Sequence, residues 1–457
     1  MKLKKLSALL LAAVMVFTAA PLAYAEETPA TEESTPAKAF DAYAINATSA
    51  STKVDSYKNK LAKRIYNLSF KEKADKGIYP GFEADDALYA VFTLKRSGYK
   101  NDAFYQKVAK KLTTQAKEIA KKGKTTGNFS GQKEEVSLKT FSTPSSWGSV
   151  ETEKHLTKIS LCASSLGLNP KNLGGLNLIK EIAKKTNYEA SSAYPTSREM
   201  MMLLALNYDN YSLPASSSYV TRDQLIGALT GDAIDEKIKN NYGIVDAPVM
   251  MISPLMPYYS QKAVGEAYEK VDAFLATEAK NTDETTNFVN NYYSVAQVLL
   301  TMGENRLQTF GGFSRDAIIA YANKAAEAEL KSEEFTYYLS FQLLSGYTSM
   351  SYALAGNDAT LYRTIANPVK SVKANAKTVT IKKGKKAKVV YTVTTADDRA
   401  SFGSYRYNTK TIAKIAKVTA KADNHKLTLT LKAKKTGKKN LVVVVGGKKT
   451  TVKVVVK

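Results

Sequence analysis

The sequence predicts a multidomain, mainly α protein: a long helical part followed by a small all-β sandwich. Three observations carry that expectation. Apolar residues recur at three- and four-residue steps for about three hundred residues. After "TIANPVK" (364–370) the apolar period drops to two. The charge divides at the same place: residues 368–457 hold 24 Lys and Arg against three acids, Asp397, Asp398 and Asp423, while residues 26–367 hold 39 of each sign.

The elements follow in chain order. Lys2, Lys4 and Lys5 precede an apolar run from Leu6 to Thr18, and Ala23-Tyr24-Ala25 has the small-x-small pattern of a signal-peptide cleavage site. Residues 1–25 are therefore expected to direct export, and no later stretch has the roughly 20 apolar residues that a membrane span needs. Residues 26–44, opening "EETPATEESTPAKAF", are rich in Pro, Thr and Glu and read as a disordered leader. Cys162 is the only cysteine, so an intramolecular disulfide is impossible and stability must come from packing.

A helical domain is expected over 45–366, its pattern starting at about residue 51. Val54, Tyr57, Leu61 and Ile65 fall on one helix face. About twelve segments follow in this way, near 51–67, 84–96, 102–122, 152–166, 176–185, 197–206, 222–230, 246–257, 262–278, 288–302, 314–330 and 335–353. Gly98, Gly167, Gly303, Asn169-Pro170 and the loop around Pro214 punctuate them.

Residues 368–457 alternate. Val379 and Ile381 do so in one strand, Ala387, Val389, Tyr391 and Val393 in the next, and Leu427, Leu429 and Leu431 in another. Gly446-Gly447 reads as a hairpin turn. Packing the apolar set inward leaves the lysines on the wet face of an antiparallel sandwich.

Two resemblances add to this reading. "VKSVKANAKTVTIKKGKKAKVVYTVTT", "NTKTIAKI" and "KKTGKKNLVVVV" resemble the bacterial immunoglobulin-like group 2 domain of secreted and surface proteins, across 369–457. "TEKHLTKISLCASSLGLNPKNLGGLNLI", "SREMMMLLALNYDNY", "VTRDQLIGAL", "DAPVMMISPLMPYY" and "NNYYSVAQVLLTMG" resemble the terpenoid cyclase/protein prenyltransferase domain in its secreted bacterial form. That resemblance implies an (α/α)6 toroid of six inner and six outer helices over roughly 45–355. The family's Gln-x-x-Asp-Gly-Gly-Trp signature is missing: Trp147 is the only tryptophan, and "FGGF" at 310–313 is at best a remnant. Two histidines leave little with which to build the prenyltransferase zinc site, so no metal and no cofactor are expected.

Candidate chemistry is sparse. "EADD" (Glu83 to Asp86) imitates the spacing of the cyclase acid motif, but acids are favoured in the first turn of a helix by its dipole alone. His155 and Cys162 share a helix face yet stand about 10 Å apart along the axis, too far for a thiol and its base. His425 belongs to the β segment. "SGYK" (Ser97 to Lys100) and "KTG" (Lys435 to Gly437) match penicillin-binding elements in spacing only. No catalytic residue is expected.

Twenty-eight tyrosines remain, paired at Tyr258-Tyr259, Tyr292-Tyr293 and Tyr337-Tyr338. One of each pair can pack while the other faces a cavity or solvent, offering an apolar face with a hydroxyl. Tyrosine also fills wide helix interfaces, which is the plainer reading of the same residues. The lysines Lys382, Lys383, Lys385, Lys386, Lys388, Lys434, Lys435, Lys438, Lys439, Lys448 and Lys449 are candidates to meet an anionic surface, either cell-wall polymer or phospholipid headgroups. A merely soluble, lysine-coated spacer is the alternative. The expectation is a secreted or cell-surface binding or scaffold protein whose Tyr-rich concave surface takes an extracellular glycan, peptide or small molecule, with no nucleic-acid partner. An enzyme on a glycan or lipid-like substrate, or a corrinoid-like carrier, are the other readings. Two carboxylates converging in one cavity would favour the enzyme.

Overall fold

Val54, Leu61 and Ile65 are fully buried along one face of the first helix, α1 (Ser49–Tyr66), as their spacing requires. The computed structural model describes residues 49–139, 141, 152–190, 195–240, 244–281, 287–365, 367–396, 402, 405–423 and 425–457. The expected signal peptide and leader, Trp147, Asp397 and Asp398 lie outside the described residues.

Each of the twelve expected helical spans holds a helix. After α1 the chain passes a π-helical turn (Asn67–Lys71) and α2 (Glu72–Asp75), then α3 (Asp85–Arg96), α4 (Asp102–Lys122) and α5 (Thr152–Ser165). It continues through α6 (Leu178–Ala183), α7 (Lys185–Ala190), α8 (Pro195–Tyr208), α9 (Arg222–Gly227) and α10 (Asp232–Lys239). α11 (Asp246–Leu255), α12 (Lys262–Glu278), α13 (Tyr292–Asn305), α14 (Arg315–Lys331) and α15 (Tyr337–Leu354) complete the helical part. Caps mark several starts: Asn101 Oδ1 accepts from Phe104 N, and Thr221 and Gln224 form a reciprocal capping box.

Two short hairpins that helical periodicity hides interrupt the series: β1 (Thr125–Gly127) with β2 (Glu134–Val136), and β3 (Thr309–Phe310) with β4 (Phe313–Ser314). The C-terminal part holds β5 (Val369–Ala374), β6 (Thr378–Ile381), β7 (Lys386–Thr395), β8 (Tyr405–Tyr407), the one-turn α16 (Thr409–Ile412), β9 (Ala416–Asp423), β10 (Lys426–Ala433), β11 (Gly437–Val445) and β12 (Lys448–Val456). They form two four-stranded sheets, β5-β7-β10-β9 and β6-β12-β11-β8.

The fold class is thereby corrected. Among the described residues the structure is about 54% helix and 19% strand, a mixed α and β chain rather than a mainly α one. The regular toroid of twelve helices is not retained: among the described residues the helical part has fifteen α-helices, interrupted by hairpins. The sandwich is not wholly antiparallel either. A break after β5 carries the chain into the second sheet, where β6 pairs with β12 in parallel.

Six helices touch in a closed series: α3 with α5, α5 with α8, α8 with α11, α11 with α13, α13 with α15, and α15 with α3. Bonds between them place like ends together. Lys158 of α5 and Tyr337 of α15 reach the start of α3, and Ser294 of α13 reaches Asp246 at the start of α11. At the other end Asn207 of α8 donates to Pro254 O of α11 at 3.0 Å, Tyr352 of α15 to Arg96 O of α3 at 2.6 Å, and Ser349 of α15 to Glu304 of α13. Ser164 of α5 lies 3.1 Å from Tyr211, just beyond α8. The six helices therefore run in the same direction.

The C-terminal ends are crossed by the segment that leaves α15. Glu304 accepts from Thr360 Oγ1 (2.6 Å) and Leu361 N (2.8 Å), Arg96 Nε donates to Leu361 O (3.1 Å), and Thr364 N donates to Tyr208 O (2.8 Å). Leu361 and Tyr362 are buried, with the Tyr362 ring 5.7 Å from that of Phe92. One apolar cluster runs from Val54 to Tyr362, and a separate one from Val369 to Val456 fills the sandwich.

Candidate functional site

The first turn of α3 carries Asp85 and Asp86, where helix-dipole preference alone would put acids. Their partners arrive from α5. Lys158 Nζ lies 2.8 Å from Asp85 Oδ2 and 2.6 Å from Asp86 Oδ1, and His155 Nδ1 lies 3.0 Å from Asp85 Oδ2. Burial opposes ionisation of Asp85, but the close approach of His155 and the Lys158 charge outweigh it and hold the carboxyl far below the usual range. Burial likewise opposes the Lys158 charge, and the two aspartates outweigh it, raising its pKa. His155 also stacks on Phe141, with ring centroids 5.5 Å apart.

Beside these acids lies a cleft of about 400 Å³, lined by Ser69, Phe70, Lys73, Glu83 to Ala87, Phe129 and Tyr337. The Glu83 side chain is fully buried and takes Lys111 Nζ at 2.5 Å, Gln115 Nε2 at 2.9 Å and the backbone N–H groups of Asn128 and Phe129 at 3.2 Å. Burial is the largest influence and would raise its pKa, but these donors outweigh it and leave the carboxyl low. Lys73 donates to Phe129 O at 2.7 Å and stands over the Phe129 ring at 4.3 Å. Three carboxylates thus line one cleft, but Glu83 and Asp85 are each fixed as anions by cationic partners. A general acid needs a pKa near the working pH, and these two are driven the other way.

Cys162 has no exposed surface, and burial drives its thiol pKa up, away from the reactive thiolate. His155, its sequence neighbour on the same helix, is engaged with Asp85 instead. Among the described residues no group of three or more His, Cys, Asp or Glu could hold a metal ion.

The expected tyrosines do not gather in one place. Tyr292, Tyr293, Tyr337 and Tyr338 begin α13 and α15, at the helix-start end. Tyr258 and Tyr259 follow α11 at the opposite end, where the Tyr258 hydroxyl donates to Asn207 and Tyr259 is buried against Tyr268. Tyr337 lines the cleft and donates to Asp86 O at 3.1 Å, while Tyr338 is 58% exposed. Tyr292 and Tyr293 are half-buried.

Lys382, Lys383, Lys385, Lys386, Lys388, Lys434, Lys435, Lys438, Lys448 and Lys449 are exposed, and Lys439 is half-buried. Most of them meet at one end of the sandwich. Gly384 N donates to Ala433 O (3.1 Å), Ala433 N to Lys385 O (3.0 Å) and Lys434 N to Ile415 O (2.8 Å), joining the β6–β7 and β10–β11 loops. Lys448 and Lys449 sit at the other end, opening β12 just after the turn whose Gly446 packs on Val369. Sequence reasoning missed Lys414, Lys417, Lys432 and Lys457, which belong to the same basic end. None of these lysines has an acidic partner within 4 Å among the described residues.

No family model matches the chain, and no curated protein matches it. Solved structures give short, distant likenesses. The S-layer protein SbsC, domains 4 and 5, is 18% identical over 21% of this chain and 55% of that chain, with a TM-score of 0.18. SbsC domains 5-6 are 17% identical over 20% of this chain and 45% of that one, again at 0.18. SbsC domains 4-9 are 18% identical over 22% and 15% of the two chains, also at 0.18. This chain thus covers about half or less of each structure it matches. Among the described residues no helix is long and apolar enough to cross a membrane.

Proposed function

We propose that this is an exported binding or scaffold protein whose basic β part holds it against an anionic surface outside the cell, leaving the helical part to meet an extracellular ligand. The observation that carries the reading is the concentration of exposed lysines in residues 368–457 without acidic partners among the described residues. Such a surface sets up a strong positive field, and its attraction is screened over a Debye length of about 8 Å at physiological salt. Binding is favoured over catalysis because the carboxylates beside the aromatic cleft are already committed to Lys111, Lys158 and His155. For the helical part, the open candidate surface is the helix-start end with Phe70, Phe129 and Tyr337.

The test is sedimentation of the purified mature chain with isolated cell walls across a salt series. Retention at low salt with release as salt rises supports the reading. Retention indifferent to salt, or none at any ionic strength, overturns it.

A further inference from the structure

In the sheet β5-β7-β10-β9, strand register places Lys386 of β7 directly opposite Lys432 of β10, and Lys432 directly opposite Lys417 of β9. All three are exposed. They form a row across three adjacent strands, with side chains about 5 Å apart. The next outward row is Lys388, Thr430 and Thr419, and the one beyond it Val390, Thr428 and Lys421. The density of charge therefore rises toward the end of the sandwich where the loop lysines Lys382, Lys383, Lys385, Lys434 and Lys435 gather.

Like charges directly opposite each other on a sheet are destabilising. Here three stand in line with no acidic partner among the described residues, on backbone already fixed by the cross-loop bonds of Gly384, Ala433 and Lys434. A fixed row of point cations suits a chain of anions laid across the strands. Lysine, unlike arginine, offers compact charge without a planar fork, which fits repeated phosphate groups without selecting one geometry. A bilayer is the poorer fit: among the described residues the exposed large apolar side chains are Leu68, Tyr338 and Ile365, none of them in the sandwich, so nothing at this end would enter the acyl region.

We propose that the Lys386–Lys432–Lys417 row, extended by the neighbouring loop lysines, is a binding site for a linear polyanion of repeated phosphates. The inference rests on the anionic-surface reading above and gives it a location and a ligand class.

The experiment uses the full mature chain with two probes, long-chain inorganic polyphosphate and phosphatidylglycerol vesicles, each titrated over a salt series. Two triple variants are compared: K386Q/K417Q/K432Q in the row, and K370Q/K448Q/K449Q, which removes equal charge at the other end of the sandwich. The row variant is expected to bind polyphosphate at least tenfold more weakly at low salt. Its slope of log K against log salt should shrink by about 2, as three lost phosphate contacts require, while the control variant stays close to the parent. Equal weakening in both variants overturns the site and leaves the general reading standing. Tighter, row-dependent binding to vesicles than to polyphosphate overturns the ligand class. Failure of the parent chain to bind either probe overturns the reading on which the site rests. Should the triple row variant unfold by circular dichroism, K432Q, central to the row, decides the same comparison.

Discussion

Lys158 of α5 closes on Asp85 of α3 at 2.8 Å, with both side chains largely withdrawn from solvent. The pair joins two neighbouring helices of the closed series. Its removal should be felt, because a buried charge left without its partner costs far more than an exposed one.

Lys158→Met is therefore expected to destabilise the helical part by about 3 kcal/mol, read as a lower denaturation midpoint in urea. The double change with Asp85→Asn should recover much of that loss. A single variant as stable as the parent would show that the pair contributes nothing.

The same pair sets a pH dependence. The folded-state pKa of Asp85 is depressed, so its contribution is present above the unfolded value of about 3.9 and is lost as pH falls below it. Lys158 is raised, so its contribution is present below about pH 10.4 and is lost only as pH rises further. Thermal midpoints should fall on acidification below about pH 4, and this acid sensitivity should shrink in Asp85→Asn.

Cys162 should be unreactive in the folded protein. A thiol reagent is expected to label it only as the chain unfolds, and Cys162→Ser should keep any ligand binding. Rapid labelling of native protein would contradict its burial.

Gly303→Ala reverses the usual expectation for a helix. Gly303, whose type marks a helix break in the sequence, lies inside α13 near its end, and alanine inside a helix normally gains up to about 1 kcal/mol over glycine. Here the added carbon would stand 2.5 Å from Met350 N and 2.6 Å from the Ser349 carbonyl carbon, on the backbone of α15. The variant should lose about 2 kcal/mol, and a rise in thermal midpoint would refute the close approach of α13 and α15.

Lys432→Thr should stabilise the sandwich by a few tenths of a kcal/mol, since it removes two cross-strand repulsions and adds a β-branched residue. Calorimetry at low salt is the sensitive measurement, and the gain should fade as salt rises.

Local pattern reaches twelve helical spans, because each buries a face whose spacing is visible within one or two turns, but it misses α2, α7 and α10. The switch of period after residue 364 was equally local. What sequence could not supply depends on pairing at a distance. His155 meets Asp85 across seventy positions, and nothing near either residue announces it. The lysine row requires the register of three strands, so Lys417 and Lys432 passed as ordinary outward residues. The tyrosine pairs look like a single surface in the sequence because their common spacing on separate helices says nothing about which end each helix presents. The parallel pairing of β6 with β12 arises from a break too short to register as a change of sheet.

The segment that crosses the helix ends has a mechanical consequence. Any tension applied through the β part enters the helical part at Thr364, then passes to Arg363, whose guanidinium donates to Glu304 O, and on to Thr360 and Leu361 on the Glu304 carboxylate. These bonds anchor to α8, α13 and α3 at once, so a pull on the tether is shared among three helices before α15 is asked to unwind. A protein held by one end against a moving surface would keep its helical part folded at forces that peel a single terminal helix away.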